Sequence, residues 1–132
     1  MRAALVVFAV LGLAACGRAE ARPGVRVVDV DVHYSRYSIS RLAVRPGETV
    51  RFVVHNRDPI DHELIVGDAG VQDRHEQGTE PRHGLRPGEI TIPAGTTAVT
   101  QVTFPSTPVP LFFGCHLPGH WAYGMHGTIA VR

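Results

Sequence analysis

Cys115, His120 and Met125 stand at even spacing, Cys-x4-His-x4-Met, on a short Pro-Gly loop within Phe113 to Gly127. A thiolate, an imidazole and a thioether so close together suit a metal that changes oxidation state. A copper ion cycling between two states needs soft sulfur for the reduced form, imidazole nitrogen for the oxidised form and a weak axial donor. One ligand is missing from the loop, because a second ligating His there would crowd the metal. Histidine is abundant, at eight residues. His62, at the start of a strand-like run, is the natural candidate. His55, His75 and His83 compete with it. His55 lies on the opposite face from Val50, Phe52 and Val54, while His75 and His83 fall in a long polar loop, a poor platform for a rigid site. Cys115 taken alone reads as a small buried hydrophobe, and Met125 alone as core filler; it is their joint occurrence with Pro118-Gly119-His120 that points to metal.

The elements that must hold these groups read as strands. Arg26 to Val32, Ser38 to Val44, Glu48 to His55, His62 to Val66, Glu89 to Ile92, Thr96 to Phe104, Val109 to Cys115 and Gly127 to Val131 are β-branched or alternate apolar with polar residues. Turns such as Arg45-Pro46-Gly47 and Pro93-Ala94-Gly95 separate them. No window carries a helical stripe of ten or more residues. The expected fold is all-β, a Greek-key sandwich of seven to eight strands. Gly67 to Gly88 does not fit: it holds five Gly, two Pro and two His, and carries at most a turn of helix around Val71 to Glu76. It reads as a connection between the two sheets.

Here a resemblance enters. The order His62, Cys115, His120, Met125 resembles the cupredoxin family, the plastocyanin, azurin and rusticyanin group, and covers Val25 to Arg132. Pro46-Gly47-Glu48 through Asn56 is similar to the strand that precedes the family's first His, and Cys115 to Ile129 to its closing loop and strand. The resemblance implies a mononuclear copper site with His62, Cys115 and His120 in a plane and Met125 axial. It also implies that Asn56 ties the ligand loops together by hydrogen bonds. His116 and His126, each directly after a proposed ligand, depart from the family's habit. They read as surface or outer histidines, with a second copper site involving His116, His126, His75 or His83 as the sharper alternative. Trp121, Leu117, Pro118, Pro59 and Ile60 are candidates for an apolar docking patch, unless Trp121 simply covers the loop.

Met1 to Ala15 is a short positive start followed by an apolar run, the pattern of a secretory signal. It is shorter than the ~20 residues of a membrane-spanning helix. Leu13-Ala14-Ala15-Cys16 resembles the lipobox of bacterial lipoproteins, which implies cleavage before Cys16 and a lipid on that cysteine. The expected organisation is a signal over 1–15, a lipidated Cys and tether over 16–24, and a cupredoxin domain over 25–132. Charge is nearly balanced, with 13 basic residues, all Arg, against 12 acidic ones. Such a balance provides no field for nucleic acid.

Two functions are therefore expected of an exported, monomeric, membrane-tethered copper protein. The first is to carry single electrons between redox partners such as a cytochrome or an oxidase. The second is to buffer, sense or deliver copper, with a copper-handling protein as partner. Enzymatic activity is not expected, since no acid–base or nucleophilic set stands out. A dinuclear copper domain would need a second cysteine beside Cys115, and a multicopper enzyme a further domain.

Overall fold

Valine at every second position is what shapes the first strand. In the computed structural model, which describes residues 24–78, 82–84 and 86–132, β1 (Arg26–His33) turns Val30 and Val32 fully inward while Asp29 and Asp31 face outward. The same alternation drives β4 (Thr49–Asn56), whose Val50, Phe52 and Val54 are buried. Each such side chain taken from water contributes roughly 1.5–3 kcal/mol. Between them lie β2 (Arg36–Tyr37) and β3 (Arg41–Val44). After β4 come β5 (His62–Gly67), α1 (Ala69–Glu76), β6 (Glu89–Ile92), β7 (Thr97–Thr103), β8 (Leu111–Gly114) and β9 (His126–Val131).

The strands form two sheets, β2-β1-β4-β7 and β3-β9-β8-β5-β6. Pairing is antiparallel except for β1 with β4 and β3 with β9. The core between the sheets joins Val30, Val32, Val50, Phe52 and Val54 to Leu64, Val66, Ile90, Ile92, Phe113 and Ile129, and it includes Cys115 and Met125. The all-β sandwich is as expected, with nine strands among the described residues because the two-residue β2 joins the eight longer runs.

The segment after β5 corrects two expectations. It does not connect the sheets, because β5 and β6 are antiparallel neighbours in one sheet. It also carries a helix of eight residues, more than the single turn expected. The helix has no apolar stripe: the residues it buries are Gln72 and His75. Asp68 caps it by accepting from the Val71 N–H at 3.0 Å. Gln72 Nε2 faces the carbonyls of Ile65, Gly67 and Phe112 at 3.3–3.4 Å, which fastens the helix across β5 and β8. A polar amide thus does the work a leucine does in an amphipathic helix. At Gly67 the approach is so close that a Cβ would lie 2.5 Å from that of Val71.

Candidate metal centre

His62 opens β5 and is completely buried. Its Nε2 lies 2.9 Å from Asp58 Oδ2. A carboxylate only accepts, so Nε2 carries the proton and Nδ1 keeps its lone pair. That Nδ1 is buried and has no hydrogen-bond partner. An unsatisfied buried acceptor is costly, and a metal ion at that nitrogen removes the cost.

Asp58 was not singled out from the sequence, yet it organises this side of the centre. Its carboxylate accepts the N–H groups of Tyr34 and Ser35, each at 2.8 Å, as well as His62. Tyr34 and Ser35 both have φ of 52°, uncommon for residues other than glycine. The carboxylate therefore holds a strained two-residue turn between β1 and β2 and aims the metal-binding ring. Burial pushes the Asp58 carboxyl up, but the N–H groups of Ser35 and Tyr34 and the His62 ring outweigh it and hold it below the usual carboxylate range. The available signal was an acid four residues before His62, in a Pro-containing turn.

Cys115 follows β8 directly and has no exposed surface. Its Sγ receives the Glu63 N–H at 3.4 Å and lies 3.3 Å from His120 Nδ1. Burial pushes the thiol up to about 12, although the N–H groups of Leu117 and Glu63 work the other way. The proton therefore stays on sulfur until a metal displaces it.

The loop from Cys115 to Met125 is a run of turns closed by its own backbone. Cys115 N donates to Met125 O and Met125 N to His120 O, both at 3.0 Å, and His120 N donates to Leu117 O at 2.9 Å. Gly119 takes φ of 82°, which supplies the bend before His120. His120 is half-buried, and desolvation, then the neighbouring His62, lowers its pKa, so its neutral form is favoured. The His62 and His120 rings are 5.0 Å apart. One donor atom each from His62, Cys115 and His120 lies within 4.8 Å of the others. Met125 is wholly buried in the same core. Two imidazoles and one thiolate with a methionine close by form a donor set suited to copper.

Asn56 is buried, and its Nδ2 is within reach of three carbonyls: Ile60 at 2.8 Å, Ile92 at 3.0 Å and Pro93 at 3.2 Å. Its Oδ1 accepts the Asp58 N–H at 3.0 Å. His55 is remote from the centre, bonded to Thr97 and Asp29. His75 lies on α1 and His83 in the segment before β6; both side chains are 2% exposed, and their rings are 4.8 Å apart. Cys16 lies outside the described residues.

His116 points away from the thiol, as its place after Cys115 requires, but its side chain is buried rather than on the surface. Its ring nitrogens lie 2.7 Å from Glu76 Oε2 and 2.8 Å from Gln72 Oε1, so both are engaged with α1 rather than with the centre. Trp121 lies between His116 and His126, stacked on both with centroid distances of 4.9 and 4.5 Å. It covers Gly114, where a Cβ would come within 2.3 Å of the indole. Trp121 is thus a cover for the loop. The surface beside His120 is instead a depression of about 420 Å³ lined by Tyr34, Ser35, Arg36, Pro118 and Tyr123.

A two-sheet Greek-key sandwich with a His-Cys-His cluster, buried except at His120, and an adjoining methionine defines a cupredoxin, a single-copper protein. The family described as copper binding proteins, plastocyanin/azurin family, matches residues 26–132, and the chain belongs to it. It is 34% identical over 118 residues to the copper-resistant cuproprotein CopI of Rubrivivax gelatinosus, covering 86% of this chain and 69% of that one. A protein of the same name from Pseudomonas aeruginosa is 26% identical over 146 residues, covering 86% and 78%. Among solved structures, auracyanin B superposes with a TM-score of 0.67 at 19% identity, over 85% of this chain and 91% of that one. Reduced auracyanin from Roseiflexus castenholzii gives 0.66 at 19% identity, over 83% and 99%. These structural likenesses speak for the fold.

Proposed function

We propose that this protein works outside the cytoplasm as a copper-tolerance protein, holding copper and passing it to a copper-handling partner. The observation that carries the reading is the ready-made donor set of His62, Cys115 and His120, in a chain whose relatives are named for copper resistance. Copper bound there supplies a one-electron change between Cu(I) and Cu(II), with sulfur suited to the first and imidazole to the second. The residues of the chain do the rest. Asp58 presents His62 in the right tautomer, and the N–H groups of Glu63 and Leu117 stabilise negative charge on Cys115. The closed loop keeps His120 in place. The leader places the domain beyond the membrane, and a lipid on Cys16 tethers it there. The chain acts as a binding protein, with no reaction of its own, and as a monomer.

Electron transfer is the second reading, favoured by the half-exposed His120 beside Tyr34 and Tyr123. Deleting the gene and restoring it separates the two. Loss of growth in elevated copper is expected, rescued by the wild-type gene and not by Cys115→Ser. Unchanged copper tolerance together with slowed reduction of a cytochrome would instead establish the carrier. Purified wild-type protein is expected to show an intense visible band that Cys115→Ser lacks.

A further inference from the structure

We propose that His75, His83 and Glu89 form a second metal site, for a divalent cation such as Cu(II) or Zn(II), behind the first. The idea stands apart from the copper-tolerance reading, since it rests on a different group of side chains.

The three residues come from separate places. His75 is in the last turn of α1, Glu89 opens β6, and His83 lies in the segment between. Their side chains are only 2%, 2% and 9% exposed. One potential ligand atom from each lies within 4.8 Å of the other two. The backbone of His83 is fixed on both sides by Thr91: its N–H reaches Thr91 Oγ1 at 2.9 Å, and its carbonyl accepts the Thr91 N–H at 3.2 Å.

The tautomer of His75 carries the inference. Its Nδ1 is 2.8 Å from the Val71 carbonyl, an acceptor, so Nδ1 holds the proton. In the neutral ring Nε2 then bears a lone pair, and that buried atom has no hydrogen-bond partner. It lies 3.3 Å from Glu89 Oε2, another acceptor. Two lone-pair atoms facing one another at a buried position are unfavourable unless a cation sits against both. A proton is one such cation, but the alignment here is not that of a hydrogen bond. A metal needs no such alignment with the ring N–H, and an imidazole whose other nitrogen donates to a backbone carbonyl is the usual form of a ligating His.

The surroundings agree. His83 Nε2 lies 3.4 Å from Glu63 Oε1, a carboxylate–histidine contact of the kind that orients metal ligands. Arg74 and Arg86 meet Glu89 at 3.1 and 3.3 Å and oppose a cation. A carboxylate has about four acceptor positions, so it serves both arginines and a metal at once. A cavity of about 350 Å³ lined by His75, Glu76, His83, His116 and Leu117 gives access from outside. The donors are nitrogen and oxygen without sulfur, which suits Zn(II) or Cu(II) better than Cu(I), with Cu(II) bound more tightly by the general order of affinities. Glu63 touches both centres: its N–H meets Cys115 Sγ and its carboxylate meets His83 and the His116 N–H.

The test uses the whole exported chain with its first site filled by copper and reduced. Zn(II) or Cu(II) is titrated in, excess is removed on a desalting column, and bound metal is counted by mass spectrometry. Two metals per chain are expected for the wild type, and one for His75→Ala and for His83→Ala, with the Cys115-dependent visible band retained after reoxidation. A single equivalent in the wild type, or a second one that survives both variants, overturns the site. Should either variant lose the visible band, nitrogen NMR of the wild-type imidazoles decides: zinc is expected to shift His75 Nε2, and an unmoved resonance refutes the proposal. None of these outcomes touches the role of the first site.

Discussion

Replacing Asp58 by Asn tests the claim that one carboxylate both holds the strained β1–β2 turn and aims His62. The acid has two oxygens, and each is used twice. Oδ1 meets the Tyr34 N–H and His33; Oδ2 meets the Ser35 N–H and His62. An amide keeps one oxygen and turns an NH2 group onto donors at the other. Whichever way it rotates, at least one backbone N–H loses its acceptor and the other bonds lose their charge. Hydrogen bonds to a charged group contribute about 1.5–3 kcal/mol each, so the variant is expected to lose roughly 2–4 kcal/mol, or about 10–20 °C in Tm. Copper affinity should fall about 10–100-fold, the usual effect of removing the partner that orients a ligating His. Thermal melts of the metal-free protein and competition with a coloured copper chelator measure the two effects. Asp31→Asn is the control: this half-exposed acid pairs with Arg57 at 2.6 Å, and such surface pairs contribute under about 1 kcal/mol. An Asp58→Asn protein that melts and binds copper like the wild type would refute the reasoning.

Other changes address separate parts of the structure. Asn56→Ala strips a buried amide from three carbonyls and is expected to cost about 1–3 kcal/mol by denaturant unfolding. Gly114→Ala puts a methyl into the Trp121 ring, so a loss of about 1–3 kcal/mol is expected. It should come with a red shift in emission from Trp121, the one tryptophan of the chain. Glu48 is buried, and its hydrogen bond to Arg26 is the main cause holding its carboxyl below the usual range. Its contribution is complete above the ordinary carboxylate pKa of ~4.3 and is lost as pH falls through the folded value. Glu48→Gln should therefore be less stable at neutral pH and show a flatter acid limb in stability measured against pH.

Strands and loop ligands were legible because each rests on a local pattern. Alternation places Val30, Val32, Val50, Phe52 and Val54 inward without reference to the rest of the chain, and Cys115, His120 and Met125 share one loop. What escaped were features whose meaning depends on remote partners. The helix over Ala69–Glu76 is anchored by Gln72 to carbonyls of β5 and β8, so no apolar periodicity announces it. Asp58 is an unremarkable turn acid until β1, β2 and β5 bring Tyr34, Ser35 and His62 around it. His75 and His83 look like solvent-facing residues of a polar stretch, and only packing of the helix against Glu89 encloses them.

Of the residues gathered at the first centre, His62, Cys115 and Met125 have no surface of their own, and His120 alone reaches outside. An ion there has one door, and the door is a ligand. Beside it the backbone bonds of Cys115 with Met125 and of Met125 with His120 clasp the loop shut. An ion held there is thus expected to exchange at a rate set by opening of that loop, unchanged as a chelator in solution is made more concentrated.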